Sequence, residues 1–147
     1  MKFTKKIVAV VAGVAMCAGL AACGGSRSGQ ATGGDAKIEK GATIGISMPT
    51  KSEERWNKDG NNLKAKLEKA GYKVILSFAD DKPAQQNADI ENMVNNEAKI
   101  VVVASKDGTA VGPAAAKARD AGATAHAYDR MIMNTDAADN YATLPLG

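Results

Sequence analysis

The chain has 147 residues, 45% of them hydrophobic and only 4% aromatic, with a formal net charge of +3 and one histidine. Both cysteines and three of the 19 basic residues fall within the first 23 positions, so residues 23–147 carry 16 basic and 16 acidic side chains. A balance of that kind lacks the basic excess of a nucleic-acid binder, and with no thiol beyond Cys23 the folded part is expected to hold no disulfide, redox pair or cysteine zinc site.

In chain order, Lys2, Lys5 and Lys6 precede an apolar run from Ile7 to Ala22 that is interrupted only by Gly13 and Gly19. Charge followed by a short greasy stretch is the order of a secretory signal, and the run falls short of the ~20 apolar residues that a membrane span requires. It closes on Leu20-Ala21-Ala22-Cys23 and turns at once into Gly24, Gly25 and Ser26. Leu-Ala-Ala-Cys resembles the bacterial lipoprotein box, which implies cleavage before Cys23 and a diacylglycerol on its thiol. Two buried acyl chains hold a protein to a bilayer stably. An ordinary signal peptide with a coincidental cysteine and an uncleaved anchor are the alternatives, and all three put the folded part outside the cytoplasm.

The stretch 24–41 holds six glycines with serine and threonine between them, and it buries too little apolar surface to order itself. The expected organisation is therefore a signal peptide over 1–22, a lipidated Cys23 with a tether to residue 41, and one small domain over 42–147.

Within that domain short apolar runs alternate with helical patterns, the signature of βα units on a parallel sheet. Strands are expected at Ala42 to Met48, Tyr72 to Phe78, Lys99 to Ala104 and Ala123 to Tyr128. The run Ile100-Val101-Val102-Val103 suits a strand covered on both faces. Trp56, Gly60, Leu63, Leu67 and Ala70 form one stripe of an amphipathic helix that Gly71 ends. A second helix opens near Pro83 and buries Ile90, Met93 and Val94, with Gln86 or Glu97 at its ends. A third, alanine-rich helix runs from Thr109 to Ala121 and stops at Gly122.

The predicted fold class is α/β, a doubly wound parallel sheet in the order 2-1-3-4. Ligands of such sheets bind at the carboxyl ends of the strands where the winding reverses. The loops after strands 1, 3 and 4 would line that crevice, with Lys51, Arg55 and Trp56 from the first, Ser105 and Asp107 from the second, and Asp129 and Arg130 from the third. Vicinal hydroxyls suit a carboxylate beside a guanidinium, and the C–H face of a sugar suits an aromatic ring. Each residue also has a plainer reading. Trp56 lies on the apolar stripe of its own helix, the arginines could be solvated, Asp129 could cap a turn, and Asp107 could cap the third helix. His126 has neither a metal-ligand partner nor a catalytic one in the sequence and reads as structural. Gly108-Thr109-Ala110-Val111-Gly112 lacks the ending of a phosphate loop.

Ser47-Met48-Pro49-Thr50-Lys51-Ser52 through Arg55-Trp56, then Asp59-Gly60-Asn61-Asn62, Ile90-Glu91-Asn92-Met93-Val94 and Ala127-Tyr128-Asp129-Arg130-Met131-Ile132 are collinear over about Ala42 to Thr143. Together they resemble the xylose and multiple-sugar periplasmic binding proteins of ABC importers. The resemblance implies a type I periplasmic-binding-protein lobe that binds an aldose such as xylose, glucose or galactose without a cofactor. It implies sugar contacts from Arg55, Trp56, Asp129 and Arg130, with Lys51, Ser105 and Asp107 as further candidates. An ABC permease and ATPase are the implied partners, and the membrane is reached through the lipid anchor. Family members carry a second lobe, and Leu144-Pro145-Leu146-Gly147 departs from their continuation, so a truncated N-terminal lobe is expected. The competing expectations are a fragment with no function beyond interaction, and a flavodoxin-like or hydrolytic enzyme. For the enzyme, neither a phosphate loop nor a nucleophile with its base is found in the sequence.

Overall fold

The computed structural model describes residues 38–142; the expected signal, Cys23 and most of the tether lie outside them. These residues form five strands and three helices, which alternate up to β4: β1 (Thr43–Met48), α1 (Glu54–Lys69), β2 (Lys73–Phe78), α2 (Pro83–Asn95), β3 (Ala98–Val103), α3 (Gly108–Asp120), β4 (Thr124–Tyr128) and β5 (Ala138–Ala142). All pairings are parallel, in the order β2-β1-β3-β4-β5. The expected order 2-1-3-4 holds, and β5 extends it beside β4. That strand is hard to read in the sequence because Ala138-Asp139-Asn140 offers no apolar run and includes poor strand formers.

The winding reverses at β1. With one crossover hand throughout, that reversal sends α1 to one face of the sheet, over β1 and β2, and α2 and α3 to the other. Two cores follow. On the α1 face Ile46, Met48, Trp56 and Ala104 are buried, with Leu63, Leu67, Val74, Leu76, Phe78 and Tyr128 packed around them. On the other face Val101, Val103, Ala125 and Ala127 of the strands meet Ile90 and Met93 of α2 and Val111, Ala114, Ala115 and Ala118 of α3. The spacing of Val101 and Val103 on β3, and of Ala125 and Ala127 on β4, is the period of two that a pleated strand imposes.

The helix ends follow the sequence closely. Gly71 and Gly122 take φ of +96° and +82°, the left-handed conformation that glycine adopts without penalty. After α1, Tyr72 N–H donates to Leu67 O at 3.1 Å and Gly71 N–H to Glu68 O at 3.0 Å; after α3, Ala123 donates to Ala118 O at 2.9 Å and Gly122 to Arg119 O at 2.8 Å. Both ends are Schellman motifs that satisfy the last helical carbonyls. Of the two polar residues expected at the ends of α2, Gln86 is fully buried. Glu97 is instead exposed beyond the helix, with φ of +63°.

Alanines let α3 approach the sheet, and glycines allow two still closer contacts. Gly45 of β1 lies under Met93, whose Sδ would be 2.6 Å from an added Cβ. Gly108 and Gly112, one turn apart on α3, lie beneath the segment that follows β4. A Cβ at Gly112 would be 2.8 Å from Met133 O, and one at Gly108 would collide with Met131 O. Met133 N–H donates to Gly108 O at 2.9 Å, so residues 130–134 form a strap bound across the first turns of α3.

Candidate functional site

The carboxyl ends of β1, β3 and β4 bring together residues far apart in sequence. From β1 the chain passes through Pro49 and Thr50, both buried, into the first turn of α1, which carries Arg55 and Trp56. Trp56 is 1% exposed and packs with Ile46, Met48 and Ala104. Its ring is covered by two guanidinium groups, with Arg55 Cζ 4.6 Å and Arg130 Cζ 5.5 Å from the centroid. Such contacts are attractive because the ring face carries negative quadrupole density. The indole thus lies below the crevice surface as a platform for both arginines.

Arg55 is held on three sides. Its Nη2 forms a hydrogen-bonded ion pair with Asp129 Oδ1, and its Nε lies 3.7 Å from Asp59 Oδ2, one helical turn along α1. The Tyr128 hydroxyl donates to that same Asp59 oxygen at 3.1 Å. The hydrogen bond that Arg55 donates to Asp129, with the charges of Asp129 and Asp59, pushes the Arg55 guanidinium above its ordinary value. Burial and then the Asp59 carboxylate keep the Tyr128 phenol protonated above its usual range. Asp129 itself has φ of +63°, a region that aspartate tolerates better than most residues. This turn aims consecutive side chains differently. Asp129 meets Arg55, while Arg130 Nη1 donates to Ser105 O at 3.4 Å.

The loop after β3 completes the rim. Ser105 is fully buried, its Oγ has no hydrogen-bond partner among the described residues, and its carbonyl accepts from Arg130. Lys106 Nζ is 2.7 Å from Asp81 Oδ1, and this hydrogen bond, the largest influence, holds the Asp81 carboxyl below its ordinary value. Asp107 Oδ1 accepts from Thr109 N at 2.9 Å and Ala110 N at 3.1 Å, the capping arrangement for α3. Lys51 lies toward the end of β2, its Nζ 5.2 Å from the Phe78 ring centroid. Arg55, Trp56, Asp129 and Arg130 therefore converge in space, while Lys51, Ser105 and Asp107 flank them.

Three residues of this assembly were not candidates from sequence. Asp59 had a signal in its four-residue spacing from Arg55 on a helix. Tyr128 was visible as the neighbour of Asp129, but its hydroxyl partner lies 69 residues away. Asp81 lies two residues before Pro83 in the chain, and its pairing with Lys106 depends on the order of strands. Chemically, the exposed edge of the site sets a carboxylate that accepts beside guanidinium groups that donate. Adjacent hydroxyls of one polyol would meet such a pair with both bonds charge-assisted. Among the described residues no group of three or more His, Cys, Asp or Glu is placed to hold a metal ion.

Comparison with known proteins gives a consistent result. The family described as periplasmic binding protein domain matches residues 44–144. The chain is similar to the multiple sugar-binding periplasmic receptor of Rhizobium radiobacter, with 46% identity over 101 residues, which are 69% of this chain and 28% of the relative. It is 32% identical over 97 residues to the D-xylose-binding periplasmic protein of Escherichia coli, covering 66% of this chain and 29% of that protein. Among solved structures, an ABC transporter solute binding protein from Clostridium phytofermentans with bound β-D-glucose superposes with a TM-score of 0.64 and 44% identity, over 65% of this chain and 30% of the other. The chain thus matches less than a third of the length of these relatives.

Proposed function

Because the chain belongs to the periplasmic binding protein domain family, we propose that it binds a monosaccharide outside the cytoplasm for uptake by an ABC importer, whose permease and ATPase would be its partners. The observation that carries this reading is the Arg55–Asp129 pair poised over Trp56 at the strand ends, with Arg130 beside it. Asp129 would accept from one sugar hydroxyl while Arg55 and Arg130 donate to its neighbours. Trp56 serves chiefly by supporting both arginines from beneath, since its burial leaves little of the ring open for stacking. Lys51 would reach the ligand from the β1 side. Ser105 would act through its carbonyl on Arg130, and Asp107 by holding the start of α3.

Glucose and xylose are the first ligands to try, because relatives and a solved structure carry those names. Titration of the full chain with D-glucose, D-xylose and a non-sugar control would be followed through Trp56, the only tryptophan. Its emission should respond when the two guanidinium groups move onto a ligand. The expected result is a saturable, sugar-specific change that Asp129→Ala weakens by at least about tenfold, the scale of one charge-assisted hydrogen bond. A cooperatively folded chain that shows no saturable response to any aldose would refute the proposal.

We further propose that Cys23 is acylated and tethers the domain to the membrane, as Leu20-Ala21-Ala22-Cys23 suggests. Expression in a bacterial host with a labelled fatty acid tests this. Label should enter the chain and disappear with Cys23→Ser, and equal labelling of both would sink the idea.

A further inference from the structure

Gln86 is the only residue of α2 whose polar side chain is fully buried, and it is aimed at the strand ends rather than at solvent. Its Nε2 donates to Ala104 O at 2.9 Å and to Ser47 Oγ at 3.2 Å, and its Oε1 accepts from Lys106 N at 2.8 Å. Ala104 and Lys106 flank Ser105. A parallel strand neighbour would make the same two bonds, giving a hydrogen to the carbonyl before the opposed residue and taking one from the amide after it. The last backbone rung between β1 and β3 is Ala104 N–H to Ser47 O, at 2.9 Å. Beyond it the two chains leave for opposite faces of the sheet, and the Gln86 carboxamide takes the place of the missing strand.

We propose that Gln86 is a positioning residue of the ligand site: it holds the loop after β3 so that the Ser105 carbonyl fixes Arg130 and Lys106 reaches Asp81. It touches no ligand. The chain of contacts is short. Gln86 binds Ala104 O and Lys106 N, Ser105 lies between them, and Arg130 Nη1 is 3.4 Å from Ser105 O. Without the carboxamide, the buried Ala104 carbonyl and Lys106 amide lose their partners, and a loop whose polar groups are unsatisfied reorganises toward water. Its effect on affinity rests on the sugar-binding reading, whereas its effect on the loop does not.

Two variants of the full chain separate these. Gln86→Met keeps the volume and removes every hydrogen bond. Gln86→Glu keeps the shape, and only its protonated form can both donate to Ala104 O and accept from Lys106 N. Amide hydrogen exchange of Lys106 is compared with wild type at the same pH, with α1 amides as the internal reference for folding. Gln86→Met should speed Lys106 exchange by roughly tenfold or more while α1 is unchanged. Gln86→Glu should match wild type at low pH and lose protection once the carboxyl ionises, because the carboxylate, although it still accepts from Lys106 N, repels the Ala104 carbonyl to which it can no longer donate. Should Gln86→Met fail to fold, that pH-dependent rescue still decides the question. Wild-type protection of Lys106 in both variants at every pH would overturn the proposal. A D-glucose titration of wild type and Gln86→Met then reads the coupling to the site. Wild-type binding that Gln86→Met leaves unchanged also overturns the positioning role. Absence of glucose binding in wild type would count against the sugar reading, while the exchange result would stand on its own.

Discussion

Replacing Gly112 by alanine should destabilise the protein, although alanine is the better helix former. Taken alone, Gly→Ala inside a helix contributes about 1 kcal/mol of stability. In α3 the new Cβ would lie 2.8 Å from Met133 O, with Asn134 O at 3.7 Å and Thr135 Cβ at 3.8 Å. A carbon–oxygen contact normally sits at about 3.3 Å or more, so the strap must retreat by roughly half an ångström. The atom in the way belongs to the backbone and has no rotamer to escape into, and its neighbour Met133 N–H is engaged with Gly108 O at 2.9 Å. Overpacking of this kind costs about 1–3 kcal/mol. The net expectation is a loss of about 1 kcal/mol, or a fall in Tm of about 4–8 °C for a domain near this size. Gly60→Ala in α1 is the matched control. There the nearest atoms are Leu76 Cδ1 at 3.1 Å and Met48 Cγ at 3.2 Å, both on side chains that can turn, so the helix preference should offset the contact and leave stability within about 0.5 kcal/mol of wild type. Thermal and urea unfolding followed by far-ultraviolet circular dichroism measure both. A Gly112→Ala protein as stable as Gly60→Ala, or more so, would show that the strap does not bear on α3 as described.

The remaining expectations use the same assays. Gly45→Ala, set against Met93, should cost about 1–3 kcal/mol, and Met93→Ala should cost less in that background than in wild type. Additive losses would contradict the contact. Asp107→Ala should lower stability by about 1 kcal/mol through loss of the α3 cap, with Asp107→Asn close to wild type; equal losses would mean that charge rather than capping matters. Tyr128 has a raised folded pKa, so the stability it contributes is present below the unfolded tyrosine value of about 10 and is lost as pH rises through the higher folded value. Tyr128→Phe should therefore flatten the alkaline fall of the urea midpoint, and an unchanged slope would refute the assignment.

Much of this protein is legible residue by residue. Helix ends at Gly71 and Gly122, the start of α2 at Pro83 and the four apolar strands follow from local preferences: left-handed glycine, a proline that needs no donor, and alternation along a strand. The order of those strands followed from a rule of handedness rather than from any contact. β5 escaped because its pairing is decided by the free edge of β4 and not by its own composition. Glu97 and Gln86 were indistinguishable as polar residues near the ends of one helix, and only the helix's placement over the sheet buries one and exposes the other.

The same division runs through the candidate site. The sequence by itself determined which loops reach the strand ends, and so nominated Arg55, Trp56, Asp129 and Arg130, because chain order and strand order together specify which turns share an edge. Tertiary structure alone decided what those residues do to one another: that Trp56 lies beneath two guanidinium groups, that Asp59 and Tyr128 brace Arg55, and that Gln86 stands in for a strand beside Ser105. The reason is physical. Backbone preferences act over a few residues and can be read locally, whereas hydrogen bonds and ring contacts depend on distances of a few ångströms between segments that meet only after the whole sheet has assembled.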